Sequence, residues 1–184
     1  MHNIEYKKFL NNPNFSKLII TNISNNVKFD KLEYQNIEII DYDNLQLLVE
    51  AKKNFDIIIL NEILTSIKDI AKVLKIVNDL SNKKTRVIVH NKTFFYHTVK
   101  KILNPLVKKK HSFNWLNSNE LNTYFENFGY SLIRKVKKNF ILYDNFVLRF
   151  VNILLSFIPF LSVIALEEFT FFKREFTQNL DYKN

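Results

Sequence analysis

Residues 54–89 read NFDIIILNEILTSIKDIAKVLKIVNDLSNKKTRVIV, and the order of patterns in that stretch decides the fold. Phe55–Leu60 is a continuous β-branched run without breakers, the signature of a strand buried on both faces, as in a parallel sheet. Ser66–Leu80 sets Ile67, Ile70, Ala71, Leu74, Val77 and Leu80 on one helical face, with Thr65 or Ser66 able to cap its start. Polar Ser81–Lys84 ends that helix, and Thr85–Val89 is the next strand. Strand, helix and strand within about 35 residues make a βαβ unit, which requires parallel pairing through a crossover.

Upstream, Lys17–Thr21 (KLIIT) reads as a buried strand broken by TNISNN, and Asn36–Asp43 (NIEIIDYD) as a second strand ending in acid. Downstream, Asn117 and Glu120 form a capping box, with Leu116 and Leu121 placed for a hydrophobic staple. Leu121, Tyr124, Phe125 and Phe128 are the apolar stripe of that helix. Gly129, the single glycine of the chain, follows at the position where a helix end turns left-handed. It hands the chain to a strand at Tyr130–Lys137, with loose alternation over Leu132–Leu142 placing it on the sheet edge. Asn145–Ile158 is an apolar helix that Pro159 breaks, and Phe169–Lys173 (FTFFK) is a final strand. No repeat or Gly/Ser/Pro linker interrupts the chain, so residues 1–176 read as one domain with a polar tail at 177–184.

Cysteine is absent, which excludes disulfides, thiolate metal sites and cysteine nucleophiles. His2, His90, His97 and His111 show no metal-ligand spacing, so no metal is expected. Met1–Asn14 has no apolar signal-peptide core, and a cytoplasmic location is expected. The net charge of +9 invites nucleic acid or an anionic membrane surface, through Lys108–Lys110 and Lys135–Lys138. AT-rich coding produces the same wealth of Lys, Asn, Ile and Phe, and the lysines are dispersed. Phe150–Leu166 carries no charge over 17 residues, fewer than the roughly 20 that span a bilayer, and is diluted by Asn152, Ser156 and Pro159. A buried helix is the expected reading there, with a peripheral membrane contact flanked by Arg149 and Lys173 as the alternative.

Residues 54–89 also resemble the second half of class I S-adenosylmethionine-dependent methyltransferases, where a strand F-D-x-I-x-x, a loop, a helix and a strand R-x-I-I follow one another. FNWLNSNELNTYFENFGYSLI resembles the N-W-L-S-x-x-[DE]-L-x-x-L-x-x-x-G-F-E-x-[IV] stretch of one methyltransferase subgroup, found alone or fused to glycosyltransferases. LSFIPFLSVIALEEFTFFKRE resembles the tail of that subgroup. The resemblance covers roughly two-thirds of the chain. It implies an α/β Rossmann-like fold: a mostly parallel sheet, helices on both faces and an antiparallel C-terminal strand. From Ile20 to Phe55 is 35 residues, about one βα unit short of the family pattern, so NIEIIDYD stands for its second strand or its third.

The resemblance also implies where S-adenosylmethionine would bind. The family signature is an acid and then G-x-G-x-G after the first strand; here Ile20 holds the acid position, and Asn22, Ser24 and Asn26 hold the glycine positions. Asn is the non-glycine residue best suited to left-handed backbone. The acid that holds the ribose hydroxyls is Asp41 or Asp43, either of which is equally a turn-forming aspartate. Asn61 and Glu62 follow the strand whose end lies near the transferred methyl in the family, and His90 ends the next strand, where a general base for the acceptor would sit. A helix cap, a surface acid and a hydrogen-bonded histidine are the ordinary accounts of these three. Two readings result. One is a divergent methyltransferase with a small-molecule, sugar or glycan acceptor. The other is a catalytically inactive methyltransferase-fold protein that acts as a binding or scaffold partner, at RNA or a membrane surface.

Overall fold

The computed structural model describes residues 12–21, 36–93, 95–96, 98, 118–138 and 165–175. Six strands form one sheet: β1 (Lys17–Thr21), β2 (Ile37–Asp41), β3 (Phe55–Asn61), β4 (Ser81–Lys92), β5 (Tyr130–Lys138) and β6 (Glu167–Arg174). Among the described residues, helices α1 (Leu45–Glu50), α2 (Ile70–Asp79) and α3 (Ser118–Asn127) lie between strands. The spatial order is β2-β1-β3-β4-β6-β5. β1 pairs in parallel with both β2 and β3, and β3 with β4, while β6 runs antiparallel to both β4 and β5. The fold is therefore the mostly parallel α/β sheet with one antiparallel C-terminal strand. NIEIIDYD lies beside β1, the place of the second strand in the order 3-2-1-4-5-6, and no strand lies outside it among the described residues.

Burial follows the runs. Every residue of β1 is buried, and β3 is buried except for Asp56. One face carries Ile20, Leu60, Val87 and Phe172 against α1, α2 and α3. The other face clusters Ile19, Ile59, Ile88, Phe169 and Phe171, strand residues alone among those described. Phe125 of α3 stacks on Phe172 at 3.9 Å and meets Tyr130 edge-on at 5.7 Å, which seats that helix on the sheet.

Several boundaries differ from the expectation. The helix expected from Ser66 begins at Ile70, because Asp69 rather than Thr65 or Ser66 caps it: Asp69 Oδ1 accepts from Lys72 N at 3.0 Å. Ser66 Oγ instead donates to Ile63 O at 2.8 Å. Ile67 is buried ahead of the helix, and Ala71 is exposed. The strand expected at Thr85–Val89 is longer, Ser81–Lys92, so Ser81–Lys84 belongs to β4. The β3–β4 register shifts between Phe55↔Ser81 and Ile57↔Arg86, and side chains carry the gap: Thr85 Oγ1 donates to Phe55 O at 2.6 Å and accepts from Asn82 N at 2.7 Å. β5 does lie on the sheet edge, but β6 is wedged between it and β4. The helix expected at Asn145–Ile158, residues 150–164, the cap residue Asn117 and the basic run Lys108–Lys110 lie outside the described residues. Among those described, no helix is long and apolar enough to cross a membrane.

Gly129 ends α3 with φ +77°, its N–H donating to Glu126 O at 2.9 Å. A Cβ there would meet only Glu175 O, at an ordinary 3.6 Å, so the constraint is the backbone and not space. Gly129→Ala is expected to cost about 1–2 kcal/mol, and Gly129→Asn less, in chemical denaturation.

At the amino edge, Asp56 Oδ2 accepts from Ser16 N and Ser16 Oγ, both at 2.9 Å, and Oδ1 accepts from Asn82 Nδ2 at 3.3 Å. Burial works to raise the Asp56 carboxyl, but these hydrogen bonds, with Lys84 nearby, hold it below the usual aspartate value. Its contribution to stability is thus present above the unfolded value of about 3.9 and is lost as pH falls through the lower folded value. Asp56→Asn is expected to flatten the acid limb of stability below about pH 4, read by denaturation across that range.

Candidate functional site

The chain goes from β1 to β2 on one side and from β2 to β3 on the other side of β1. At such a reversal the connections leave the strand ends in opposite directions and open a crevice at the carboxyl edge, where sheets of this kind bind ligands. Register places one residue from each strand on that edge: Asp41, Thr21, Asn61 and His90 are successive partners across β2, β1, β3 and β4. Four polar side chains thus cap four apolar strands. By strand alternation Thr21, Asn61 and His90 share the face of Ile19, Ile59 and Ile88.

The inner three are buried, with Thr21 5%, Asn61 3% and His90 6% exposed. His90 Nδ1 lies 2.8 Å from Asn61 Oδ1, and its ring stacks on Phe169 at 4.4 Å. Its Nε2 lies 3.7 Å from Glu167 Oε2 at the start of β6. Thr21 Oγ1 has no hydrogen-bond partner among the described residues. That is a costly state for a buried hydroxyl, and one that a ligand or water atom would relieve.

Next to this row, a cleft of ≈490 Å³ opens on the side of β2, lined by Asp41, Tyr42, Asp43, Ile63, Ile67 and Lys72 among others. Asp41 is the last residue of β2 and caps the 3₁₀ turn Tyr42–Asn44, its Oδ1 accepting from Asp43 N at 3.2 Å. Three carboxylates line the cleft (Asp41, Asp43 and Asp69) against two ammonium groups (Lys68 and Lys72).

The structure brings Asp41 and Asp43 together in one cleft, but Asn61 is not among the cleft residues: it is held by His90 on the other face. Asn22, Ser24 and Asn26 lie outside the described residues. Ile20, at the position of the family acid, is fully buried in the same apolar cluster as Ile63 and Leu64. Sequence reading missed Thr21, Tyr42 and the lysine wall. Asp69 was the available signal for the last, since a capping aspartate fixes where the helix, and hence Lys72, begins.

Glu62 adopts φ +54°, rare for a residue with a Cβ, and its N–H donates to His90 O at 2.8 Å. Its Oε1 lies 3.1 Å from Lys92 Nζ, which also sits 4.5 Å above the Tyr96 ring. On β5, Arg134 lies over Phe171 at 4.5 Å and Lys137 is 3.9 Å from Glu168. Among the described residues, no group of three or more potential ligands is placed to hold a metal ion.

No protein-family model and no curated protein matches the sequence. Solved structures do. A SAM-dependent methyltransferase from Archaeoglobus fulgidus is similar over 92% of this chain and 90% of that one, at 10% identity and a TM-score of 0.55. One from Methanosarcina mazei is similar over 95% and 99%, at 10% identity and a TM-score of 0.55. The chain spans only 55% of a magnesium protoporphyrin IX methyltransferase from Synechocystis PCC 6803 solved with bound SAH, at 14% identity over 79% of this chain and a TM-score of 0.46. The chain has the fold of class I S-adenosylmethionine-dependent methyltransferases.

Burial works against the Lys92 ammonium, but Glu62 and Tyr96 outweigh it and raise its pKa above the usual lysine value. The stability this contributes is fully present below the unfolded value of about 10.4 and is lost as pH rises through the folded one. Glu62→Gln is expected to lower stability at neutral pH, with the gap to the wild-type protein closing above about pH 10 in denaturation measurements.

Proposed function

We propose that the chain binds S-adenosylmethionine at the carboxyl edge of β2 and acts as a divergent methyltransferase on a small-molecule acceptor. One observation carries this: the ≈490 Å³ cleft beside the β1–β3 switch point, with Asp41 and Asp43 among its lining residues. Its volume lies in the range of pockets that hold ligands of this size.

The residues present fit the nucleoside half of the cofactor. A carboxylate at a strand end accepts from two vicinal hydroxyls, and Asp41 or Asp43 serves for the ribose. Tyr42, Ile63 and Ile67 offer an apolar wall for the base. The carboxylate excess suits a sulfonium cation. When bound, the cofactor supplies a methyl group activated by positive sulfur. The protein's part in such a transfer is mainly positioning and exclusion of water, so few acid–base residues are required. The sugar or glycan acceptor suggested by the sequence resemblance belongs to this proposal.

On the methionine side the chain departs from the family pattern. Ile20 is buried in the core where an acid would stand. That observation favours a second reading, a protein of this fold that binds a partner without turnover.

Calorimetric titration with S-adenosylmethionine and S-adenosylhomocysteine tests the proposal. Micromolar binding, about −8 kcal/mol, is expected, with Asp41→Ala or Asp43→Ala weakening it at least about tenfold. No heat and no thermal stabilisation at millimolar ligand would sink the enzyme reading and leave the partner-binding one.

A further inference from the structure

Elsewhere in the described sheet, the hydroxyls of buried residues have partners. Ser81 Oγ donates to Val77 O at 2.6 Å and lies 2.8 Å from Tyr130 Oη. Thr85 Oγ1 donates to Phe55 O at 2.6 Å, and Thr170 Oγ1 to Glu168 Oε1 at 3.3 Å. Thr21 is the exception among the buried residues described: it is 5% exposed, and its Oγ1 has no hydrogen-bond partner. A buried hydroxyl in that state destabilises the fold that keeps it. Valine has nearly the same shape without the hydroxyl and suits a buried strand as well. The exception also stands in a particular place. Thr21 ends β1, the strand around which the sheet reverses, and its register partners are Asp41 on β2 and Asn61 on β3. Asn61 is bonded to His90, and Asp41 caps the 3₁₀ turn. Thr21 Oγ1 is thus the group at this edge that the fold leaves to something else.

We propose that Thr21 is a ligand-binding residue whose Oγ1 hydrogen-bonds a hydroxyl of a sugar ring, and that the ligand-free protein is less stable for keeping it. The inference rests on the reading that a ligand binds at this edge. Neighbouring strands lie about 4.8 Å apart, a span that one ligand hydroxyl bridges with two hydrogen bonds. Such a hydroxyl gives its proton to the Asp41 carboxylate and accepts the Thr21 proton on its oxygen. This asks of Asp41 only one lone pair, of which a carboxylate has about four, so its bond to Asp43 N is kept. An ammonium group, with protons alone, would leave the Thr21 proton unplaced. The sugar is either the ribose of a nucleoside or an acceptor sugar, since both present ring hydroxyls of this kind.

The test compares Thr21→Val and Thr21→Ser with the wild-type full-length chain, by thermal unfolding without ligand and by titration with two probes. The probes are methylthioadenosine, with its two monodeoxy forms, and methyl mannoside, a sugar without a base. Thr21→Val is expected to melt about 2–4 °C above the wild-type protein, because it loses only an unsatisfied hydroxyl. It should bind the answering probe about tenfold more weakly, whereas Thr21→Ser should melt lower and bind as the wild type does. A dependence seen with methylthioadenosine assigns the sugar to a nucleoside, and one monodeoxy form should then bind the wild type and Thr21→Val equally weakly. A dependence seen with the mannoside alone assigns it to an acceptor; if methylthioadenosine then fails to bind, the cofactor reading falls and this one stands. If methylthioadenosine binds and no probe distinguishes Thr21→Val from the wild type, the hydroxyl holds water only: this inference falls and the cofactor reading stands. Binding of neither probe to the wild type overturns both. A Thr21→Val protein that melts below the wild type also overturns the inference, since the hydroxyl is then already partnered without ligand.

Discussion

Everything at the candidate site depends on β1 having two parallel neighbours. Five consecutive buried residues pair with β2 on one side and β3 on the other. Parallel pairing aligns the carboxyl ends of all three strands, and the reversal around β1 forces the connecting segments apart there. The polar row Asp41–Thr21–Asn61–His90 is a consequence of register: a slip of one residue in any of these ladders would turn that strand's polar end to the other face.

The edge is chemically two-sided. Toward the helices, the cleft has carboxylates, an aromatic ring and the apolar residues Ile63 and Ile67. Toward the other face, Thr21, Asn61 and His90 are buried, with His90 tied to β3 through Asn61 Oδ1 and through its own carbonyl, which accepts from Glu62 N. The first arrangement suits reception of a ligand. The second holds the donors and acceptors of the edge in one orientation, which is what a buried polar group requires.

The chain manages this with one glycine. Left-handed backbone occurs also at Asn36, Lys52 and Glu62, where each residue pays roughly 1–2 kcal/mol for its Cβ. Hydrogen bonds offset that strain: Asn36 O accepts from Lys17 N at 3.0 Å, Lys52 N donates to Val49 O at 2.9 Å, and Glu62 N donates to His90 O at 2.8 Å. A glycine-poor composition therefore does not forbid the sharp turns of this fold. It moves the cost from chain entropy to backbone strain.

Much of the fold was legible in the sequence. FDIIIL, KLIIT and NIEIIDYD are apolar runs whose burial depends on few neighbours, and Gly129 marks a helix end because its geometry is local. The helix start was misplaced, since Thr65, Ser66 and Asp69 all carry capping side chains and only the position of Ile63 decides that Ser66 bonds backward. The carboxylates Asp41 and Asp43 were legible as strand-end acids. Their meeting with Lys72 in one cleft was not, nor was the bond from His90 to Asn61, 29 residues away. Sequence by itself determined the kinds of element and the parallel unit, because hydrophobic period and turn chemistry are short-range. Only the tertiary structure decided which polar ends share an edge, because that is set by strand order and register, which are properties of pairs of strands rather than of any one of them.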